Sequence, residues 1–415
     1  MTPAVLSLIA LLAAIVLSCT SRINVGLLAI AFAWLIGTGS AGWRADQVMA
    51  GFPASLFLTL AGVTLLFGLA EVNGTLEQVA RRVIRWSGGH RRVVPIVFFV
   101  AAGLLSSIGP GAVSAVALLI PLAMAIGSQT GVPRVLTALM VANGANAGNL
   151  SPISAVGIIA NSRMAEAGLG EHEFRVWFAN FAAHVLVAAV AWLMFRQVEA
   201  STPAGTLPPA PIDTALSRPQ HLTTVVIAAW IVGVVGFDLN VGLAAFGAAS
   251  VLIVAGAGDE AAAIRRIPWG VILMVTGVTV LIGVLEKTGG LDLFTQLLAA
   301  IATPATVNGT IAFVAGLISS WSSTSGVVLP ALLPTVPALV EQLGGGNALG
   351  IALSINVGAS MVDVSPLSTV GALCVATVTD PAASRLLFRQ LLVWGLSMTI
   401  VGAILCQMLI NFLAT

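Results

Sequence analysis

Charge is the property that this sequence has least of. Of its 415 residues, 8% are Asp, Glu, Lys or Arg, whereas 58% are hydrophobic and the mean hydropathy is +1.05. A soluble domain carries about 25% charged residues, and the apolar runs of this chain recur along its whole length. The composition therefore excludes a soluble domain and predicts an integral membrane protein that crosses the bilayer many times.

Cysteine, histidine and clustered basic residues are also scarce, which excludes several kinds of site. The three cysteines form no spacing typical of a disulfide framework or a metal knuckle, and no cofactor is predicted. No basic tail or basic helix is available to bind nucleic acid. Four scattered histidines, with no His-Glu-x-x-His motif or nucleophile elbow, argue against an enzyme. Because no positive charge precedes the first apolar run, 3–19, we expect a retained helix rather than a cleaved signal peptide.

The chain contains an internal repeat with an offset of about 215 residues. The clearest pair is "NAGNLSPISAVG", 146–157, with "SMVDVSPLSTVG", 360–371. Chance does not place several such matches in the same order, so two homologous halves are predicted, joined by a Pro-rich linker. The halves are 1–197 and 220–415, and the linker is 198–219. The other matched stretches are 23–37 with 239–253, 61–77 with 276–292, and 99–107 with 313–320.

Each half contains a pair of short apolar runs and one long apolar segment that polar residues interrupt. The short runs lie in 93–127 and 306–341, and the interrupted segments are 133–164 and 346–379. Each pair of short runs is either two thin membrane spans or one re-entrant hairpin that enters and leaves on the same side.

The arginines and lysines favour the hairpins. With hairpins, each half crosses five times, the halves are inverted, and 13 basic residues lie on one face against 4 on the other. This is the asymmetry of the positive-inside rule. With six crossings, Arg134, Arg196 and Arg218 change faces and the asymmetry weakens. We therefore predict an all-α membrane protein of about ten transmembrane helices in two inverted repeats. Its linker would be cytoplasmic and both its termini external.

The interrupted segments carry the polar residues from which a site is predicted. Pro152 removes a backbone donor and disfavours helical geometry at Ser151, and carbonyls freed in lipid cost several kcal/mol each without a polar partner. A second Ser-Pro pair, 365–366, repeats this break. Asp363 there replaces Asn149 of the first half, and a membrane carboxylate is functional by default.

The predicted hairpin tips, 106–111 and 319–326, would face each other from opposite sides of the membrane. The helix N-termini at 111 and 325 would then point inward, where free amides bind anions without Lys or Arg. Inverted repeats with interrupted helices are typical of secondary transporters whose site lies between the repeats. The predicted substrate-binding residues are Gly109, Gly111, Ser114, Asn146, Asn149, Ser151, Ser322, Ser323, Thr324, Ser325, Ser365 and Ser368.

Other polar residues have a simpler explanation. A single Gly or Ser in a membrane helix often serves only close packing. His184, in the middle of the helix predicted over 174–196, is expected to be a packing residue rather than a proton relay. Glu71 and Glu286 are repeat-equivalent and are expected to cap helices or to pair with Arg or Lys at the interface.

These motifs resemble those of a known family. The paired hairpins, the "GNLSPIS" and "DVSPLST" breaks and "SSTSGVVLPALLP", 322–334, resemble the MatC-type dicarboxylate (malonate) carriers of the ion transporter superfamily, which are related to divalent anion–sodium symporters. The resemblance covers essentially the whole chain. It implies a homodimer in a bacterial inner membrane, whose scaffold (the first three spans of each half) supports a moving domain in an elevator-type mechanism. The amphipathic stretch 75–92 would be the interfacial arm.

The resemblance also implies which ligands the protein binds. The implied partners are a small dicarboxylate, malonate-like or C4, a coupling cation, expected to be Na⁺, and the lipid bilayer. A sodium/proton antiporter of the same superfamily is the alternative, with Asp363 as the titrating acid. The relatives carry Ser-Asn-Thr at each tip, whereas this chain has Gly-Ala-Val at 111–113 and Thr-Ser-Gly at 324–326. Carried over by position, one cation site uses Ser107, Gly111, Asn146 and Asn149, and the other uses Ser320, Thr324, Ser360 and Asp363.

Overall fold

The structure is a computed structural model that describes residues 1–20, 23–78, 91–109, 111–197, 215–237, 239–320, 322–378 and 380–414. The described residues form helices and connecting turns, with no strand among them, which confirms the predicted all-α class. Most of the predicted arm over 75–92 and of the predicted linker over 198–219 lies outside the described residues.

The helices of the first half follow its apolar runs. The side chain of Asn24 begins α2 by accepting a hydrogen bond from the Gly26 amide at 3.0 Å. The long segment predicted to be interrupted divides into α7 and α8, and Pro152 lies between them. The helices are α1 (Pro3–Thr20), α2 (Val25–Gly39), α3 (Ala45–Met49), α4 (Ala54–Val72), α5 (Val94–Ser107), α6 (Gly111–Gln129), α7 (Arg134–Gly148), α8 (Ala155–Glu166) and α9 (Glu173–Phe195).

The second half repeats this order with local differences. Asn240, the repeat counterpart of Asn24, begins α11 by accepting from the Leu243 amide at 3.0 Å. A short 3₁₀ turn, Val362–Val364, follows α18. The helices are α10 (Arg218–Phe237), α11 (Val241–Val254), α12 (Glu260–Arg266), α13 (Trp269–Thr288), α14 (Gly290–Ala299), α15 (Val307–Ser319), α16 (Leu329–Leu332), α17 (Val336–Leu343), α18 (Ala348–Met361), α19 (Thr369–Ala376) and α20 (Pro381–Ala414).

The segment after the second tip is not a regular α-helix. It begins as a π-helix, Thr324–Val328, continues through α16, tightens to a 3₁₀ turn, Leu333–Thr335, and ends as α17. Pro330, Pro334 and Pro337 each remove a backbone donor, which prevents uninterrupted α-helical bonding. A π-helical turn often lies at a functional site, and this one lies at the predicted tip.

Three helices, α3, α12 and α14, are not predicted by the search for apolar runs. All three are short, and α14 has one apolar and one polar side, so none contains an apolar run long enough to be found. In the repeat, α14 occupies the place of the predicted arm, 75–92. Amphipathic rather than apolar periodicity is the signal that identifies such helices.

Two helix crossings connect the halves through repeat-equivalent glycines. In one, Gly26 of α2 lies against Gly277 of α13, and in the other Gly242 of α11 lies against Gly62 of α4. Gly26 is the repeat counterpart of Gly242, and Gly277 is the counterpart of Gly62. The same contact is therefore made twice with the halves exchanged. Either glycine of a pair would meet backbone atoms if it carried a side chain, which explains why small residues occupy these crossings.

The surface is suited to a lipid environment. Seven helical segments within the described residues are long and apolar enough to cross a membrane, and further apolar helices are shorter. Two of the seven, α6 and the segment 324–343, are second arms of the predicted hairpins, so their length permits crossing. Besides the buried apolar core, many large apolar side chains lie on the surface, as in membrane-facing surfaces. Examples are Trp34, 54% exposed, Val393, 70%, Phe412, 78%, and Val254, 90%.

Candidate functional site

The two Ser-Pro breaks are closed by the same hydrogen bonds. In the first, the Ser154 hydroxyl lies against the Asn149 carbonyl and the Ser151 carbonyl, the latter at 3.0 Å. In the second, the Ser368 hydroxyl lies against the Asp363 carbonyl and the Ser365 carbonyl, the latter at 2.8 Å. These hydroxyls satisfy carbonyls that the breaks free. The sequence analysis predicts Ser368 but not Ser154, although the Ser-Pro-x-Ser spacing occurs in both halves.

Asn149 holds the first tip. Its Oδ1 accepts a hydrogen bond from the Ala112 amide at 3.0 Å, and the side chain is buried. The tip turns through Gly109 and Gly111, whose φ angles of +148° and +77° disfavour other residues. Gly109 also lies against the ring of Phe67, which leaves no space for a Cβ. The first break and the first tip are thus joined by one amide side chain.

Asp363 makes the equivalent connection in the second half. The Thr324 hydroxyl donates to Asp363 Oδ1 at 2.9 Å and accepts from the Ser319 hydroxyl. Ser319 shares its one proton between Thr324 and the Ala359 carbonyl, which lies 2.8 Å away. Each half therefore connects its break to its tip, with a neutral amide in one half and a carboxylate in the other.

The two tips and the two breaks line one cavity of about 230 Å³. This is below the range of about 300–1,000 Å³ common for drug-sized ligands, so the space suits a small molecule. Binding of a ligand at these residues stays a prediction. The predicted residues that line the cavity are Gly111, Ser114, Asn149, Ser322, Ser323, Thr324, Ser325, Asp363 and Ser368.

The remaining predicted residues lie behind this lining. Asn146 is fully buried within α7, and Ser365 is packed against α20 at Gly395. The Ser320 hydroxyl donates to the Gly316 carbonyl of its own helix at 2.9 Å, so Ser319 rather than Ser320 reaches the tip. Adjacent side chains of a helix point in directions about 100° apart, so the sequence alone does not show which of the two serines faces the tip. The others outside the lining are Gly109, in the tip turn, Ser107, beside Gly148, Ser151, in the first break, and Ser360, in α18.

A buried polar chain connects the halves beneath the cavity. The Asn143 amide nitrogen donates to the Leu139 carbonyl, so its oxygen accepts from His184 Nδ1 at 3.0 Å. His184 Nε2 is then the acceptor of the Ser360 hydroxyl at 3.1 Å. The imidazole is fully buried, and its two bonds tie α9 to α7 and α18. The sequence analysis does not predict Asn143 as part of this network.

A cation in this region would be bound by oxygens of mixed kind. No group of three or more His, Cys, Asp and Glu side chains lies together within the described residues. Asp363 supplies a carboxylate and Thr324 a hydroxyl, while Asn146 Oδ1 and Ser106 Oγ are buried without a hydrogen-bond partner. Carboxylate, hydroxyl and amide oxygens are the ligands that hard cations prefer. Oxygens of these kinds suit a hard cation better than a transition metal.

The cavity also contains an ion pair that the sequence analysis does not place there. Arg266 Nη1 lies 2.6 Å from Glu71 Oε1, and both side chains line the cavity with Asp363. The pairing of Glu71 with a basic residue is as expected, but the participation of Arg266 in the site is new. The two residues are 195 positions apart, so only the packing of α12 on α4 brings them together.

The N-terminal part of the chain is similar to a known protein family. Residues 1–149 match the family described as dicarboxylate carrier protein MatC N-terminus. The predicted resemblance to MatC-type carriers is thereby confirmed over this part of the chain. The matched MatC region ends at Asn149, so it includes the first tip and the residue that holds it.

The whole fold is similar to that of a solved transporter. The crystal structure of the YdaH transporter of Alcanivorax borkumensis, described as having an unusual topology, aligns with a TM-score of 0.61 at 16% identity, over 99% of each chain. At this identity the likeness establishes the fold alone. No curated protein sequence matches the chain.

Proposed function

We propose that this protein is a secondary active transporter that couples the uptake of a small dicarboxylate, malonate-like or C4, to a cation gradient, with Na⁺ as the coupling ion. The observation that carries the proposal is the shared cavity, where a tip and a break from each half meet. Asn149 bonds one tip and Asp363 bonds the other. The MatC match and the transporter fold support transport rather than an enzymatic reaction.

The proposed architecture is ten transmembrane helices in two inverted repeats, each with a re-entrant hairpin and a discontinuous helix. The exchanged glycine crossings support it, because contacts made twice with the halves exchanged are expected for a pseudo-two-fold axis. From the positive-inside asymmetry of the basic residues, we propose a cytoplasmic linker and external termini, in a bacterial inner membrane. Reporter fusions at the two termini test this orientation.

The substrate class follows from the family match and from the chemistry of the cavity. Hydroxyls of Ser323 and Ser325 and the start of the 19-residue α6 at Gly111 line a small space. Hydroxyls and the positive end of a helix dipole stabilise carboxylates. A short dicarboxylate satisfies both the size and the charge that this lining favours.

The cation is proposed to bind between the second tip and Asp363, with a second site near Asn149. The half-buried Asp363 carboxylate already accepts a bond from Thr324, and the unpartnered oxygen of Asn146 lies one helical turn before Asn149. A cation at Asp363 would neutralise the carboxylate and so reduce its repulsion of an anionic substrate. Coupling of the two ligands follows from this electrostatic link.

An elevator-type movement is the proposed mechanism. The crossings of α2 with α13 and α4 with α11 pack as one group, whereas α5 with α7 and α15 with α18 pack as another. The cavity is lined by both groups, through Phe67 of α4 and Asn149 at the end of α7. We propose the first group as the scaffold of a homodimer and the second as the moving domain.

Uptake into proteoliposomes tests the proposal. Labelled malonate and succinate are supplied with a sodium gradient, a proton gradient or neither, and accumulation against the substrate gradient is measured. We expect accumulation that depends on sodium. Failure of every dicarboxylate tested under both gradients would refute the proposed function.

A sodium/proton antiporter is the second candidate, because Asp363 is a carboxylate at the tip and such exchangers need a titrating acid. Adding sodium to proteoliposomes loaded with a pH-sensitive dye, without an organic anion, distinguishes the two. A sodium-driven pH change under these conditions favours the antiporter, and its absence together with dicarboxylate uptake favours the symporter.

A further inference from the structure

Arg266 and Glu71 lie on the cavity wall formed by α12 and α4. Arg266 is the last residue of α12 and Glu71 is in the last turn of α4. Their side chains are 58% and 33% exposed, so the ion pair is open to the cavity and to solvent. Arg266 is the one basic side chain among the described residues that line the cavity.

Close packing fixes this position. A Cβ on Gly68 of α4 would lie 3.1 Å from the Ala263 carbonyl and 3.5 Å from the Arg266 Cβ, so a small residue lets α12 approach α4 closely. In the repeat, Gly283 corresponds to Gly68, and nothing lies within 4 Å of a Cβ built there. Gly51 corresponds to Arg266, so one half alone supplies the arginine. The site is therefore asymmetric in its basic charge as well as in Asp363.

Arg266 can leave Glu71 for another carboxylate at low energetic cost. An exposed ion pair contributes at most about 1 kcal/mol, so it opens at low cost. A guanidinium has five N–H donors in a planar fork that matches a carboxylate. A second carboxylate entering the cavity can thus take the place of Glu71 on Arg266. A substrate with one carboxylate, held at the tips, would not need this contact.

We propose that Arg266 is a specificity residue that binds the second carboxylate of a dicarboxylate, and that Glu71 competes with the substrate for it. The proposal rests on the proposed dicarboxylate transport and names a recognition residue for it. Arg266 offsets the repulsion of a dianion by Asp363 and Glu71, which also line the cavity. Glu71 keeps the arginine occupied when the cavity holds no dianion.

Binding to the purified full-length protein tests this proposal. Dissociation constants for malonate and succinate, and for acetate and propionate, are measured by calorimetry for Arg266→Gln, Arg266→Lys and Glu71→Gln. We expect Arg266→Gln to weaken dicarboxylate binding about tenfold or more, since a charge-assisted hydrogen bond is lost, and to change monocarboxylate binding little. Arg266→Lys should retain part of the affinity, and Glu71→Gln should raise dicarboxylate affinity about two- to fivefold.

Arg265→Gln is the matched control, because Arg265 is on the same helix and does not line the cavity. Thermal unfolding verifies that each variant is folded, and the opposite effects expected for Arg266→Gln and Glu71→Gln do not arise from general destabilisation. Dicarboxylate affinities unchanged in both variants, while the wild type binds, would overturn this inference alone. A wild type that binds no dicarboxylate would overturn the proposed function and this inference together.

Discussion

Replacement of Asp363 by Asn separates the charge at the second break from its geometry. Asn149 occupies the equivalent position in the first half and holds its tip through an amide oxygen. An Asn at 363 can therefore still accept from the Thr324 hydroxyl, 2.9 Å away in the wild type. The bond loses its charge assistance, so we expect a decrease of about 1 kcal/mol in the free energy of unfolding.

The effect on the cation should be larger. Two unit charges 4 Å apart interact by about 4 kcal/mol at an effective dielectric constant of about 20, and desolvation offsets part of this energy. We expect a net loss of roughly 1–3 kcal/mol in cation binding, which corresponds to about a 5- to 150-fold higher sodium concentration for half-maximal uptake. Dicarboxylate uptake into proteoliposomes at graded sodium concentrations measures this shift.

Asp380→Asn is the control for the loss of one acid. Asp380 is exposed and accepts from the Ala383 amide at 2.7 Å at the start of α20, where Asn is an equally good cap. Sodium dependence should be unchanged in this variant. If Asp363→Asn also leaves the sodium dependence and the pH profile of uptake unchanged, Asp363 is neither a cation ligand nor a proton carrier, and the reasoning is refuted.

Substitutions at three further positions test how the site is supported. Ser154→Ala leaves carbonyls of the first break without their hydroxyl, and should lower the free energy of unfolding by about 1–3 kcal/mol in thermal or denaturant unfolding; an unchanged stability would show that water replaces the hydroxyl. Gly277→Ala places a methyl group against Gly26 at the α2–α13 crossing, and should lower the unfolding temperature by several degrees. If the temperature does not fall, the helices separate easily at that crossing. His184→Leu leaves buried Asn143 and Ser360 groups unpaired, and should cost about 2–4 kcal/mol, whereas His184→Gln should recover part of the loss; equal stability of the two variants would contradict a hydrogen-bonding role.

Much of the candidate site could be predicted from the sequence, because proline interrupts a helix through its immediate neighbours. A proline interrupts helical bonding wherever it occurs, so the breaks at Ser151 and Ser365 follow from the residues alone. The repeat then pairs Asn149 with Asp363 without knowledge of the fold. Arg266 could not be placed in this way, because its contact with Glu71 joins residues 195 positions apart and depends on how α12 packs on α4.

The directions of individual side chains could not be predicted from the sequence either. The Ser-Ser pair before each tip predicts a hydroxyl near the tip, but not which of the two serines provides it. In the second half Ser319 reaches Thr324, and Ser320 bonds back to its own helix. Helix α14 was missed for a different reason, because its apolar residues occupy one side only and form no continuous run.

The sequence by itself determined the membrane class, the positions of the breaks and the single carboxylate that distinguishes them, and it predicts two homologous halves. Each of these depends on composition, on local backbone chemistry or on the comparison of one stretch with another. Only the tertiary structure decided which of those polar residues share a cavity, which hydroxyls close the breaks and which arginine also lines the cavity. These depend on helix rotation and close approach over long separations, which are properties of packing and not of any local stretch.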